Sequence, residues 1–290
     1  MGFLCRRYKV SERRACRLVG QHRSTNRYVA MPDDFEARLV KEMNRLAELH
    51  PRWGYRQIHG LLVDAGWAVN RKRIERLWRL EGHRVPPSKS KSSGKKAGGG
   101  AENSIWNLPA LYPDHIWTFD FMGDHTVDGV AIRILNIVDE YTRRCIESYV
   151  ARNIGARRVQ HVLEQAFARH GKPKIIRSDN GREFIADTLA QWLAEQGVTS
   201  AFVEKGSPQQ NAFIERFNGT MRRECLNCEE LHDVLEARVV IAAFVEEYNT
   251  VRRHRGLGGK TPAAFTTEAK KLAAAERKRQ TDSGRKERGQ

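Results

Sequence analysis

Apolar residues recur with a helical period up to about residue 84 and with a mixed strand and helix rhythm from Trp106 onward. Ser11 to Val19 predicts a short helix stopped by Gly20, and Ser24 is placed to cap a second one, Thr25 to Val29, the spacing of a small helix-turn-helix. Asp33 or Asp34 then caps a helix with Phe35, Leu39, Val40, Met43 and Leu46 on one face, ending at Pro51. Tyr55 to Val63 reads as helix with Ile58, Leu61 and Leu62 inward. Gly66 makes the turn, and Asn70 caps Arg71–Glu81, whose apolar face is Ile74, Leu77 and Trp78.

Beyond Trp106, His115–Met122 alternates Ile116, Thr118 and Asp120 against Trp117, Phe119 and Phe121, as a strand does. Val130–Val138 is the next strand, after a turn at Val127-Asp128-Gly129, and Cys145–Val150 a third. A helix opens at Gly155 and runs to His170, with Val159, Val162, Leu163, Ala166 and Phe167 inward. A short strand, Lys174–Arg177, runs into Ser178-Asp179-Asn180-Gly181. A helix over Phe184–Gln196, a fifth strand at Thr199–Val203 and a helix from Asn211 to Asn227 follow. Three meandering strands followed by alternating helix and strand define a mixed five-stranded α/β sheet behind all-α modules.

Charge divides the chain in the same place. Residues 1–100 carry 23 Lys/Arg against 9 Asp/Glu, residues 101–266 carry 20 against 22, and residues 267–290 carry 8 against 4, within a formal net charge of +16. A basic front half joined to a near-neutral middle indicates a polyanion-binding module attached to something different. The expected organisation is a small helix-turn-helix segment over 1–30 and a helical DNA-binding domain over 31–84. A basic flexible linker (85–105), an α/β domain (106–266) and a charged, disordered tail (267–290) complete it. No apolar run is long enough to span a membrane, and the N-terminus lacks the apolar stretch of a signal peptide, so a cytoplasmic location is expected. The five cysteines are an odd number at irregular spacing, which predicts reduced thiols. Cys225 and Cys228 form a CxxC with no second Cys or His pair nearby, which argues against zinc.

Two sets of residues carry candidate chemistry. The exposed face of the helix after Asn70 presents Arg71, Lys72, Arg73, Arg76 and Arg79, the form a recognition helix in a DNA major groove requires, or else a solvated basic face. In the α/β domain, Asp120 interrupts an apolar and aromatic strand, a costly position for an unpaired carboxylate. Asp179 lies just past a strand end, where α/β sheets present ligands, and Glu215 lies on the first turns of a helix among Phe213, Ile214 and Phe217. Three such carboxylates can converge at one sheet edge, and hard oxygen donors suit Mg²⁺ or Mn²⁺. Two ions together would activate a nucleophile and stabilise a leaving oxyanion in cleavage of a phosphodiester, with Asp120 bridging them, Asp179 on one and Glu215 on the other. Taken singly, each acid also has a structural reading: a turn for Asp179, a helix-terminal acid for Glu215 and a buried hydrogen-bonded Asp for Asp120.

Thirty-five residues separate Asp179 from Glu215, the interval of retroviral integrases. WTFDFMGD, IRSDNGREF and GSPQQNAFIERFNGTMRREC, with HPRWGYRQIHGLL upstream and YNTVRRHRGLGGKTP downstream, resemble the words of insertion-sequence transposases, most closely the second-frame (OrfB) products of the insertion sequence three family. The resemblance runs from about Ser11 to Phe265. It implies a ribonuclease-H-like integrase catalytic core over 106–266, a catalytic triad of Asp120, Asp179 and Glu215, and DNA ends as substrate. It also implies at least a homodimer on DNA and a first-frame (OrfA) partner or fusion. Arg222, or its neighbour Arg223, matches a basic residue with which the family contacts terminal DNA, although a structural salt bridge is an equal reading of Arg222. Asn218 shares that helix face as a further DNA contact. Ser207 to Asn211 is expected to form a loop over the site. The family's closing motif usually has Pro between Arg and His, where this chain has Arg253. Two rival readings stay open: a DNA-binding regulator without catalysis, and a nuclease of the same fold acting on RNA–DNA hybrids.

Overall fold

The computed structural model describes residues 2–27, 34–85, 108–178, 187–202 and 211–287; beyond residue 275 only the backbone is described. The chain forms two compact units, residues 1–50 and 51–290. In the first, α1 (Gly2–Tyr8), α2 (Glu12–Leu18) and α3 (Arg23–Arg27) precede the longer α4 (Asp34–Leu49). Ser11 caps α2 by accepting from the Arg14 amide at 3.3 Å. Ser24 lies inside α3 instead of capping it, and its hydroxyl meets His22 Nδ1 at 2.6 Å. Glu12 ties α2 to α3 by accepting from Asn26 and Arg27. In α4 the buried positions Leu39, Met43, Leu46 and Ala47 form one stripe of helical period.

The second unit opens with α5 (Tyr55–Asp64) and α6 (Arg71–Leu80). Asn70 caps α6 through its side chain, which accepts from the Arg73 amide at 2.8 Å. Ile74, Leu77 and Trp78 are buried, which leaves Arg71, Lys72, Arg76 and Arg79 exposed on the other side. The sheet follows: β1 (Ile116–His125), β2 (Ala131–Asp139), β3 (Cys145–Ala151), β4 (Ile175–Ser178) and β5 (Thr199–Phe202), in the spatial order β3-β2-β1-β4-β5. β1 and β2, and β2 and β3, are antiparallel, whereas β4 runs parallel to both β1 and β5. This is the expected mixed five-stranded sheet, and β1 is its central strand.

Alternation along the strands builds a core on each face. Trp117, Phe119, Leu135 and Ile137 pack with α7 (Ala156–His170) and α8 (Asp187–Glu195). On the other face Ile132, Ile134 and Val138 pack with α9 (Ala212–Met221), a π-helical turn (Arg222–Leu226) and α10 (Val234–Thr250). α10 is not evident in the apolar pattern, because its Val, Ala, Ile and Phe residues are distributed around the helix instead of along one stripe. The expected disordered tail is instead helix: α11 runs from Pro262 to Glu287, so the boundary placed at 266 falls inside it. Its run of Ala, Lys, Glu and Arg consists of strong helix formers, which explains the difference. All five cysteines are free, Cys225 buried and Cys228 exposed. No helix among the described residues is long and apolar enough to cross a membrane.

The segment after α10 folds back as a loop with a 3₁₀ turn, Arg255–Leu257. His254 meets the Tyr248 ring edge-on at 4.7 Å, and its buried Nε2 has no hydrogen-bond partner among the described residues. Burial, helped by the charges of Arg252 and Arg143, pushes its pKa down to about 3. A ring kept neutral in the fold titrates near 6.5 when unfolded. The stability it contributes is therefore complete above that value and is lost as pH falls towards 3, at about 1.4 kcal/mol per unit. Between pH 7 and pH 5, urea denaturation should show the native protein losing up to about 2 kcal/mol more than His254→Phe. Parallel curves would assign the acid sensitivity elsewhere.

Candidate active site

β1 presents Thr118, Asp120, Met122 and Asp124 to the face that α9 covers, since alternate residues share a side. Three of them meet α9 and its flanks in order along the chain. The Thr118 hydroxyl donates to Asn211 Oδ1, Asn218 Nδ2 donates to Asp120 Oδ2 at 3.0 Å, and Arg222 Nη1 pairs with Asp124 Oδ2 at 2.7 Å. Asn211, Asn218 and Arg222 stand at intervals of seven and four, so they lie on one stripe, and Glu215 completes it four residues after Asn211. Glu215 is exposed and lies on the turn between two residues that touch β1.

Asp120 is half-buried, and its carboxylate is held on both oxygens: Oδ1 accepts from the Phe121 amide at 2.7 Å and Oδ2 from Asn218. Behind Asn218 stands a chain of buried polar groups. Asn136, wholly buried on β2 and directly opposite Asp120, donates to Asn218 Oδ1 at 2.8 Å, and the Ser148 hydroxyl donates to Asn136 Oδ1 at 2.6 Å. Asn136 was not among the candidates, yet an amide inside the apolar run Ile134-Leu135-Asn136-Ile137-Val138 is the same kind of exception that singles out Asp120.

Asp179, residues 207–210 of the expected loop, and residues 86–105 of the expected linker lie outside the described residues. β4 ends at Ser178, whose partner on β1 is Phe119, the residue before Asp120. Just before it, Arg177 is buried and pairs with Glu140, its Nη1 lying 2.9 Å from each carboxylate oxygen, while Nη2 donates to the Leu108 carbonyl at 3.0 Å. Among the described residues no group of three or more His, Cys, Asp or Glu could hold a metal ion. Asp120 and Glu215 are nonetheless donors of the hard-oxygen type that Mg²⁺ or Mn²⁺ takes.

The basic candidates divide by what they touch. Arg222 is held by Asp124 and the Gly123 carbonyl, and Arg223 Nη2 donates to Thr220 at 3.5 Å. On α6, Arg79 pairs with Glu75 at 2.7 Å, one turn apart. Three sequence words meet at Glu224, a residue not singled out before. Trp53 Nε1 donates to it at 3.1 Å, and Arg252 grips both its oxygens at 2.6 and 2.7 Å.

A five-stranded mixed sheet with helices on both faces and acids beside its central strand is the architecture of an integrase-type polynucleotidyl transferase. Residues 111–208 and 196–262 match the integrase core domain family, and residues 34–91 match an HTH-like domain. The chain is 36% identical to a 31.7 kDa protein of insertion element IS407 from Burkholderia multivorans, over 95% of this chain and 97% of that one. It is 28% identical to the transposase of insertion sequence element IS904 from Lactococcus lactis, over 74% of this chain and 87% of that one. It also matches the HTLV-2 integrase catalytic core domain in complex with magnesium at 19% identity and a TM-score of 0.44, over 54% of this chain and 98% of that one. The chain belongs to the insertion-sequence transposases with an integrase core.

Proposed function

We propose that this transposase, a second-frame product of the insertion sequence three family, binds the terminal inverted repeats of its element, nicks DNA there and transfers the 3′-hydroxyl to a second phosphodiester. Asp120, Asp179 and Glu215 are its catalytic carboxylates. The observation that carries the reading is the arrangement around β1. Asp120 is central, Glu215 lies on the helix stripe whose neighbours touch Thr118 and Asp120, and the last described residue of β4 pairs one position before Asp120. Those three carboxylates would hold Mg²⁺ or Mn²⁺, two ions per site, which when bound lower the pKa of the attacking hydroxyl and stabilise the leaving oxyanion.

The chain's own residues supply orientation. Asn218 and the Phe121 amide fix the rotation of the Asp120 carboxylate, and Asn136 and Ser148 fix Asn218. Arg71, Lys72, Arg73, Arg76 and Arg79 would meet DNA from α6, with Asn218, Arg222 and Arg223 nearer the chemistry. Residues 1–30 and 31–84 act as helix-turn-helix modules, 85–105 as a basic linker, and the core begins at 106 and ends where α11 begins, at Pro262. Transfer joins two DNA ends, which calls for a homo-oligomer on DNA, and the first-frame product is its expected partner or fusion, in the cytoplasm.

The full chain, incubated with duplexes ending in the inverted repeats that flank its reading frame, should form strand-transfer products with Mg²⁺ or Mn²⁺. Chelation should abolish them. Products that persist under chelation, or that never form with either ion, would remove the metal-dependent reading.

A further inference from the structure

α5, the start of α6 and the loop after α10 enclose a cleft of about 650 Å³, lined chiefly from the words HPRWGYRQIHGLL and YNTVRRHRGLGGKTP. Its walls carry Arg56 from α5, Arg71 from α6, and Arg253 and Arg255 from the loop, with His59 and Gln57 between them. The loop wall is fixed in place. Gln57 grips the Arg253 backbone from both sides, its Nε2 donating to the Arg253 carbonyl at 2.8 Å and its Oε1 accepting from the Arg253 amide at 3.1 Å. A proline at 253 would have no amide to give. The Arg253 side chain is spent on structure: it pairs with Asp64 and donates to the Gly259 carbonyl at 3.0 Å. Its stem runs so close over Gly60 that a Cβ there would lie 2.4 Å from Arg253 Cδ, so only glycine lets the arginine cross the helix.

The other cations differ. Among the described residues Arg71 and Arg255, both exposed, form no ion pair, and the exposed Arg56 has the Tyr55 hydroxyl at 3.3 Å as its hydrogen-bond partner. The acids that α5 and α6 carry are already engaged, Asp64 with Arg253 and Glu75 with Arg79. Guanidinium groups brought to one open cleft by α5, α6 and the loop, with the acids of both helices paired, call for an anion that reaches more than one wall. Arg71 belongs at once to this cleft and to the basic face of α6, so the two surfaces are continuous.

We propose that the cleft holds the sugar–phosphate backbone of the DNA that α6 reads, with Arg56 and Arg255 as phosphate contacts on separate walls. This rests on DNA being the substrate, and adds a second grip that joins the reading helices to the loop after α10. The Arg253 latch serves as the cleft's rigid floor, in place of a contact.

The test is equilibrium binding of the full chain to a labelled duplex of unrelated sequence, between about 50 and about 200 mM salt and without divalent cations. Each phosphate contact adds about 0.9 to the slope of log K against log salt. Arg56→Ala/Arg255→Ala should therefore lower the slope by about 2 and weaken binding on the order of tens-fold near 0.1 M salt. Arg56→Lys/Arg255→Lys should restore most of both. An unchanged slope in the alanine variant overturns the proposal. So does a loss that lysine fails to restore while the melting temperature falls, which marks a folding defect. An unchanged DNA slope with lost binding of polyglutamate also overturns it, in favour of an acidic protein partner. Since no divalent ion is present, failure here leaves the strand-transfer reading standing, and a chain inactive in strand transfer can still pass.

Discussion

Asp120→Asn is expected to lower strand transfer on the order of a thousandfold, ~4 kcal/mol of barrier, while duplex binding without divalent ions stays within about twofold of native. The substitution keeps the size and shape of the side chain and removes one negative charge, so it isolates what the carboxylate contributes to charge stabilisation. It also carries a structural cost that follows from the contacts. Both Asp120 oxygens accept, one from the Phe121 amide and one from Asn218. An asparagine presents an NH₂ to one of those donors whichever way it is turned. If Asn218 flips to accommodate it, Asn218 turns its own NH₂ towards the donating amide of Asn136. The chain stays intact only if Asn136 turns as well, donating to the Ser148 hydroxyl and giving up its contact with the Met221 sulfur; any arrangement short of that loses one hydrogen bond, a stability loss of about 1–2 kcal/mol. Glu215→Gln is the clean companion, because Glu215 is exposed at the end of no such chain. A similar loss of strand transfer in both variants, with a melting temperature lowered in Asp120→Asn alone, separates chemistry from packing. Native-like strand transfer in either variant would strike that residue from the triad.

The two strands that position Asp120 were legible in the sequence for a plain reason: both faces of the sheet are covered, so β1 and β2 read as apolar runs broken by a few polar residues. Those breaks carry the site. Asp120 is recognisable because a carboxylate among Trp117, Phe119 and Phe121 must have partners; Asn136 obeys the same rule and was passed over, because an amide has no chemistry of its own to suggest. Its role is visible only once β2 is paired with β1 in a register that sets it opposite Asp120. α10 was illegible for another reason: its buried stripe, Ala237, Ile241, Phe244 and Tyr248, is masked in the sequence by apolar residues that stay exposed, Leu235 and Val239 among them. Arg222 illustrates a third limit. Helix spacing puts it on the Glu215 face, but only tertiary structure reveals that Asp124, two pleats beyond Asp120, already holds it. The convergence of Trp53, Arg252 and Glu224 is long-range and likewise has no local signature. In each case the missing information is which element lies opposite, a property of topology and not of local pattern.

Arg177→Met should destabilise the fold by about 3–5 kcal/mol, more than any surface substitution. Arg177 and Glu140 are almost fully buried, with side chains 4% and 1% exposed, and the pair joins β4 to the residue that follows β2. Desolvation already pushes the Glu140 carboxyl up to about 7, against the opposing pull of Arg177 and Arg143. Removing Arg177 deletes the main counter-charge and leaves the acid to be buried alone or to take up a proton. The proton sets the pH dependence. A carboxyl whose folded pKa is raised contributes its full share below the unfolded value near 4.5 and loses it as pH rises towards the folded value, at about 1.4 kcal/mol per unit. Without Arg177 that folded value rises further, so native and variant lose stability alike up to about 7, and the penalty of Arg177→Met should be level from pH 5 to about 7 and grow from there through pH 8. Glu140→Leu in the same background should recover much of it, because replacing both partners by apolar groups removes the buried charge altogether. Urea midpoints of the native chain, the single variant and the double variant at the two pH values measure each of these. A penalty that stays flat with pH, or that Glu140→Leu deepens, would mean that Arg177 is held for its bond to the Leu108 carbonyl and not for its charge. Since Ser178 follows Arg177 and pairs beside Asp120, loosening β4 should also slow strand transfer below the unfolding midpoint, and the double variant should regain it only as far as the strand is straightened again.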